Sequence, residues 1–202
     1  MIRDHALASS GLLVDSIGGR SVYPYQPKGI WKALATRNAT EYKLGTGNDL
    51  YRRSLYTVWK RTAPPPSMLN FDAPDRYICT VSRQKTSTPL QSLVLMNDPQ
   101  YLEAAKVLAE KTILEIEGNI EDKIDFIYLS LVSRSAEKEE LALLKKYYQE
   151  EVEEYSADKT SASELLSIGE YEISSDVDQA ETAALTMVAS TVINFDEFVM
   201  KR

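Results

Sequence analysis

The sequence predicts a mainly α protein, an irregular multi-helix domain with a long loop-rich N-terminal half. Three observations predict it. After position 98, apolar residues recur at three- and four-residue spacing, which lines one face of a helix. Before position 97 the pattern is broken by Gly18-Gly19, Gly45, Gly47 and Pro64-Pro65-Pro66, residues that stop helices and set turns. With 202 residues, 44% hydrophobic and 26% charged, the chain is long enough to bury its own core and has a globular composition. The reading is one helical domain over 1–202, loop-rich over 1–97 and helical over 98–202.

The opening MIRDHALASSGLLVDSIGG reads as a helix stopped by Gly18-Gly19. SVYPYQPKGIW follows as extended chain, because each proline restricts the residue before it. NDLYRRSLYTVWKRT is read as a helix with Tyr51, Leu55, Val58 and Trp59 inward, although its aromatic and β-branched content also suits a strand. Pro64-Pro65-Pro66 is a stiff spacer and FDAPDR a turn, in which either aspartate can accept backbone N–H bonds or pair with Arg76. Thr88-Pro89-Leu90-Gln91 opens a helix: threonine as N-cap, proline at the first position, glutamine at the capping-box position.

Asp98-Pro99 starts the next helix the same way, with Leu102, Ala105, Ala109 and Ile113 on one face and an end near residue 117, before Gly118-Asn119. A helical hairpin follows. Its first arm shows Ile124, Ile127, Tyr128 and Leu131, its second Leu141, Leu144, Tyr148 and Val152, with Ser133 or Ser135 as the second cap. A short helix is expected over residues 162–171. Asp178 and Glu181 cap the last helix, whose single apolar face is Ala184, Met187, Val188, Thr191 and Phe195. Phe195 and Phe198 dock the terminus, and Lys201 and Arg202 suit the helix C-terminal dipole.

Composition removes several function classes. No apolar run reaches 18 residues, so no membrane insertion is expected, and the opening stretch is no secretory signal, since Asp4, His5, Ser9 and Ser10 interrupt it. Cys79 is the only cysteine and His5 the only histidine. That excludes an intramolecular disulfide, a cysteine-rich zinc site and covalent haem attachment, and no metal or cofactor is expected in this chain. The pI of about 4.9 and the absence of a recognisable motif argue against nucleic acid. The net charge of -7 divides into 13 Lys and Arg against 7 Asp and Glu over residues 1–100, and 10 against 23 over 101–202. The plainer account is a set of acidic solvated helices following a mixed region; the other is two faces for different partners.

The residues with most chemistry lie between 50 and 100. Arg52, Arg53, Lys60, Arg61, Arg76, Arg83 and Lys85, interleaved with Tyr51, Tyr56, Trp59 and Tyr77, could form an anion-binding or sugar-stacking surface. Alternatively the arginines brace loop carbonyls and pair with Asp49, Asp72 and Asp75. Asp72 and Asp75 could be the two carboxylates of a glycoside-processing site, but D-x-x-D is common and a structural use carries more weight. Cys79 reads as a small buried hydrophobe. The candidate binding or docking residues are Arg52, Arg53, Trp59, Asp72, Asp75, Arg76 and Arg83, with no catalytic residue assigned. The sequence favours a non-catalytic interaction or accessory module over an enzyme, with carbohydrate binding or processing as the alternative.

The stretch LYRRSLYTVWKRTAPPPSMLNFDAPDRYICTVSRQKTSTPLQSLVLMNDPQYLEAAKVLA resembles the C-terminal domain of unknown function of planctomycete-type secreted proteins associated with a cytochrome c domain. IRDHALASSGLLVDSIGGRSVYPYQPKGIW and TMVASTVINFDEFVMKR resemble its flanking blocks. The resemblance implies a domain of no established activity within a larger extracytoplasmic protein, periplasmic or secreted. Its implied partner is a preceding domain of the same protein, with polysaccharide as the alternative. The haem of the associated domain is not carried over, because this chain has no haem motif.

Overall fold

The computed structural model describes residues 1–33, 41–74, 76–82 and 84–200. Its helices are α1 (Ile2–Ser10), α2 (Ile30–Ala33), α3 (Pro66–Asn70), α4 (Pro89–Asn97), α5 (Pro99–Glu115), α6 (Ile120–Val132), α7 (Lys138–Ala157), α8 (Lys159–Leu166), α9 (Gln179–Ile193) and α10 (Asp196–Val199). No strand is present among the described residues, so the fold is mainly α as expected. The chain divides into two compact units: Met1–Leu13 with Leu95–Arg202, and Val14–Val94.

The first unit is a helical bundle around α9. Asp98 caps α5 through Gln100, its carboxylate accepting the backbone N–H at 3.1 Å and the side-chain amide at 3.0 Å. Helix α5 packs on α1, α6 and α9, while α9 also meets α6, α7, α8 and α10. Ile124, Ile127, Tyr128 and Leu131 of α6 are buried together, as their spacing predicts. The single apolar face expected of α9 is a correction. Thr182, Ala183, Leu185, Thr186, Ala189, Ser190 and Val192 are buried as well as Ala184 and Val188, because helices cover α9 on several sides. Its buried threonines stay satisfied by donating back along the helix, Thr182 to the Asp178 carbonyl at 2.6 Å and Thr186 to the Thr182 carbonyl at 2.7 Å.

A buried charged row on α5 holds the connection between α8 and α9. Glu103, Lys106 and Glu110 stand at i, i+3 and i+7, one face of the helix, and each is under 5% exposed. The Lys106 Nζ donates to the carbonyls of Leu166, Ile168 and Tyr171 at 3.0, 2.7 and 2.8 Å. Glu103 accepts the N–H groups of Glu170 and Tyr171 at 2.6 and 2.8 Å, and Glu110 accepts that of Ser174 at 2.6 Å. Gly169 lies so close that a Cβ there would meet the Glu103 carboxylate at 2.4 Å, and its φ of +90° is one that L side chains rarely adopt. Burial pulls the Lys106 ammonium below the ordinary lysine range, and the two glutamates oppose that shift. This row also explains why α8 occupies Lys159–Leu166 rather than residues 162–171: carbonyls that would extend the helix are claimed by Lys106.

Three further boundaries differ from expectation. Helix α1 ends at Gly11, which takes φ 84° as a left-handed cap, well before Gly18-Gly19. Neither Ser133 nor Ser135 starts α7. Ser133 is the left-handed C-cap of α6, and α7 opens at Glu137, whose N–H is accepted by Glu140 at 2.8 Å. Pro66 begins α3 instead of prolonging a spacer, since a proline at the first helical position loses no hydrogen bond. Phe198 does dock the C-terminal end, stacked on His5 at 4.6 Å, and Phe195 meets the edge of Tyr128 at 6.0 Å. Lys201 and Arg202 lie outside the described residues.

The second unit is held by loops and single backbone bridges. Val14 N–H donates to the Tyr51 carbonyl, Val22 to Tyr56 and Val58 to Val22, at 3.0, 2.8 and 2.9 Å. The helix expected over NDLYRRSLYTVWKRT is therefore absent. The segment forms two short 3-10 turns, Gly47–Leu50 and Ser54–Tyr56, with isolated bridges at Arg52 and Thr57, and Leu55 is 77% exposed instead of inward. Pairing with residues 14 and 22 gives its backbone the partners that a helix would have supplied from within. Tyr23, Trp31 and Tyr42 meet edge to face, with centroids 5.1 to 6.1 Å apart, and form an aromatic core for this unit.

Lys106→Met should cost about 3–5 kcal/mol, as expected when a buried charge network loses one member. Urea unfolding measures the loss, and hydrogen exchange should localise it to the amides of Glu170, Tyr171 and Ser174. A loss below about 1 kcal/mol would show that the row is dispensable.

Candidate docking surface

The described residues among the sequence-predicted site are committed to local partners. Arg52 is buried, its guanidinium donating to the carbonyls of Ser16, Gly18 and Arg20 and lying 3.9 Å over the Tyr56 ring. It is the brace of the 14–20 loop. Its neighbour Arg53 is exposed and pairs with Asp15 at 2.8 Å. Trp59 is half-buried beneath the Arg76 guanidinium, 5.0 Å from its ring, which brings two of the candidate binding residues together. Lys60 sits 4.6 Å over Trp31, and the Tyr77 hydroxyl donates to the Arg61 carbonyl at 3.0 Å. Asp75 and Arg83 lie outside the described residues.

Asp72 closes a loop. At φ 57° its carboxylate accepts the Thr86 N–H at 2.8 Å and the Thr86 hydroxyl at 2.9 Å. Gln91 joins the same knot: its amide donates to the Asn70 carbonyl at 2.7 Å and to Thr86 Oγ1 at 3.0 Å, while its Oε1 accepts the Thr88 N–H at 3.1 Å. The predicted capping box of α4 is thus present, and it also ties the start of α4 to the end of α3. Both Asp72 oxygens serve this structure.

The same knot splits the apolar residues of α4, with Leu95 buried beside Gln91 while other leucines face outward. Gln91 is 4% exposed, whereas Leu90 and Leu93 are 53% and 56% exposed. Upstream, Tyr77, Ile78 and Val81 are also exposed, as is Cys79, which corrects the expectation that the thiol is a buried hydrophobe. The run in which these residues stand carries charge of one sign. From residue 76 to 97 the sequence holds Arg76, Arg83 and Lys85 and no aspartate or glutamate. That acid-free run, with leucines at 90 and 93, is the signal by which the sequence could have shown the surface.

A second locus lies in the helical unit. A cleft of about 480 Å³ is lined by His5, Leu131, Val132, Ser133, Arg134, Glu197 and Met200. Arg134 bridges Glu140 and Glu197 at 2.8 Å each and donates to the Tyr128 hydroxyl at 2.9 Å. The Arg134 hydrogen bond holds the Glu140 carboxyl down at about 2. Burial and the Glu140 hydrogen bond push the Tyr128 hydroxyl far above its ordinary range. Among the described residues no three His, Cys, Asp or Glu side chains gather to hold a metal, and no helix is long and apolar enough to cross a membrane.

A helical bundle joined to a loop-built unit that shows leucines to solvent defines a class by architecture rather than by a reaction. The chain belongs to the PSD1 family, described as a protein of unknown function (DUF1553), whose model matches residues 1–148. The match covers the sequence blocks over 2–31 and 50–109 and ends inside α7; α8, α9 and α10 lie beyond it. No curated protein and no solved structure matches.

Asp72→Ala and Thr86→Ala should each cost about 1–3 kcal/mol, and the pair little more than either alone, because both remove one partly buried hydrogen-bonded knot. Additive losses in chemical denaturation would show that the contact is not formed. For Glu140 the folded carboxyl lies below its ordinary 4.5, so its contribution is complete above that pH and is lost as the pH falls towards about 2. Glu140→Gln should therefore flatten the acid limb of the stability curve in that window, and an unchanged limb would exclude the Arg134 network as its source.

Proposed function

We propose that this chain is a non-catalytic interaction module of a larger extracytoplasmic protein and that its contact surface is the apolar, basic face of residues 76–94. The observation that carries the reading is helix α4, which buries Gln91 and Leu95 and exposes Leu90 and Leu93. A half-exposed leucine forgoes part of the roughly 1.5–3 kcal/mol that full burial yields, and covering the pair with a protein partner recovers it. The family resemblance supports the setting in an exported protein with further domains, among which a preceding domain is one available partner. The cytochrome-c association belongs to that setting and gives this chain no haem chemistry.

Carbohydrate binding is the second reading, supported by the Arg76–Trp59 stack and by the exposed Tyr77 beside Arg61. The engagement of Asp72 by Thr86 favours binding over processing within that reading.

A photoreactive amino acid placed at Leu93 in the parent protein, in its native cells, tests the docking reading. Leu114, equally apolar and 58% exposed on α5, is the control position. Position 93 should capture protein at about tenfold the yield of position 114, the contrast of a covered site against open solvent. Equal yields would remove the reading.

A further inference from the structure

We propose that the apolar, basic face of residues 76–94 seats the outer face of α7 from a second copy of this chain, joining copies head to tail. This rests on the docking reading and names its partner. The argument begins with charge. Val14–Val94 carries 12 Lys and Arg against 5 Asp and Glu, a formal +7, whereas Met1–Leu13 with Leu95–Arg202 carries 11 against 25, a formal -14. Each copy therefore brings a basic unit and an acidic one, and the complement of the first exists on the second.

Helix α7 supplies a matching surface. Its residues 147–157 contain Glu150, Glu151, Glu153 and Glu154 and no cation. Leu143, Glu150 and Glu154 stand at i, i+7 and i+11, on one exposed stripe, and Leu143 is 67% exposed. Glu150 reaches Lys146 only at 3.7 Å, with both side chains largely solvated, and Glu153 and Glu154 form no ion pair among the described residues. Burial, and then the charges of Glu154 and Glu150, hold the Glu151 carboxyl above the usual range. The stripe thus offers one leucine followed by carboxylates, of which only Glu150 has an ion-pair partner on the helix, Lys146. The face that receives it offers Leu90 and Leu93 with Arg76 and Lys85 exposed nearby in sequence. Because the two surfaces are different patches, each copy brings one of each, and a copy that loses one patch keeps the other.

Sedimentation velocity of the 202-residue chain tests this. Oligomers should grow with concentration and weaken about tenfold between about 50 and 500 mM salt, as screening predicts for an electrostatically guided contact. Leu90→Asp with Leu93→Asp should give a monomer, and so should Glu150→Lys with Glu154→Lys on the other surface; unchanged melting curves confirm that both variants fold. Mixing the two variants is the decisive step. Each keeps one intact surface, so the mixture should form a capped heterodimer and nothing larger. A mixture that stays monomeric overturns the head-to-tail contact, whether or not the unaltered chain forms a symmetric dimer. A chain that is monomeric throughout overturns the second-copy partner; strong capture at position 93 would then assign the face to another domain and leave the docking reading standing.

Discussion

The ammonium of Lys106 is the point on which the helical unit depends. It is anchored to three carbonyls from Leu166, Ile168 and Tyr171, and the glutamates on either side of it take the N–H groups of the same connection. A loop carrying unsatisfied backbone groups cannot lie against a bundle core without such partners. With them, the chain turns from α8 into α9 against α5, and α9 enters the centre of the bundle. The burial of α9 on several sides follows from this placement, as does the need for small and hydroxyl-bearing residues along it. The family match ends at residue 148, so the helix at the centre of this bundle lies beyond the matched part.

The loop-built unit solves the same problem with a different cation. Arg52 gathers the carbonyls of the 14–20 loop, where a planar guanidinium with five donors can serve several acceptors at once. Around it, single bridges and an aromatic trio replace a layered core. This use of arginine accounts for one of the expected binding residues. Arg53, next in sequence, faces solvent, since successive residues of an extended segment point to opposite sides.

The exposed leucines of α4 are a consequence of where Gln91 is needed. Its amide links Asn70, Thr86 and Thr88, so the polar side chain of the first turn faces inward and the leucines beside it face water. Such a helix, in a run without carboxylates, is the basis for the acidic and partly apolar protein partner that we propose. The carboxylate that could have suggested catalysis, Asp72, is part of the knot that creates the face.

The sequence by itself determined the helical class, the capped starts of α4, α5 and α9, and the buried stripe of α6, because caps and helical periodicity are local and need no knowledge of what packs on them. It also bounded the chemistry through one histidine and one cysteine. The tertiary structure decided the rest. Nothing in the local pattern marks Glu103, Lys106 and Glu110 for burial before the loop that covers them is in place, or sets Leu90 and Leu93 outward before Gln91 takes the inward side. The segment around residues 50–61 has side chains suited to helix or strand, and only its pairing with residues 14 and 22 removes both. In each case the outcome turns on hydrogen-bond partners distant in sequence, which no local pattern encodes.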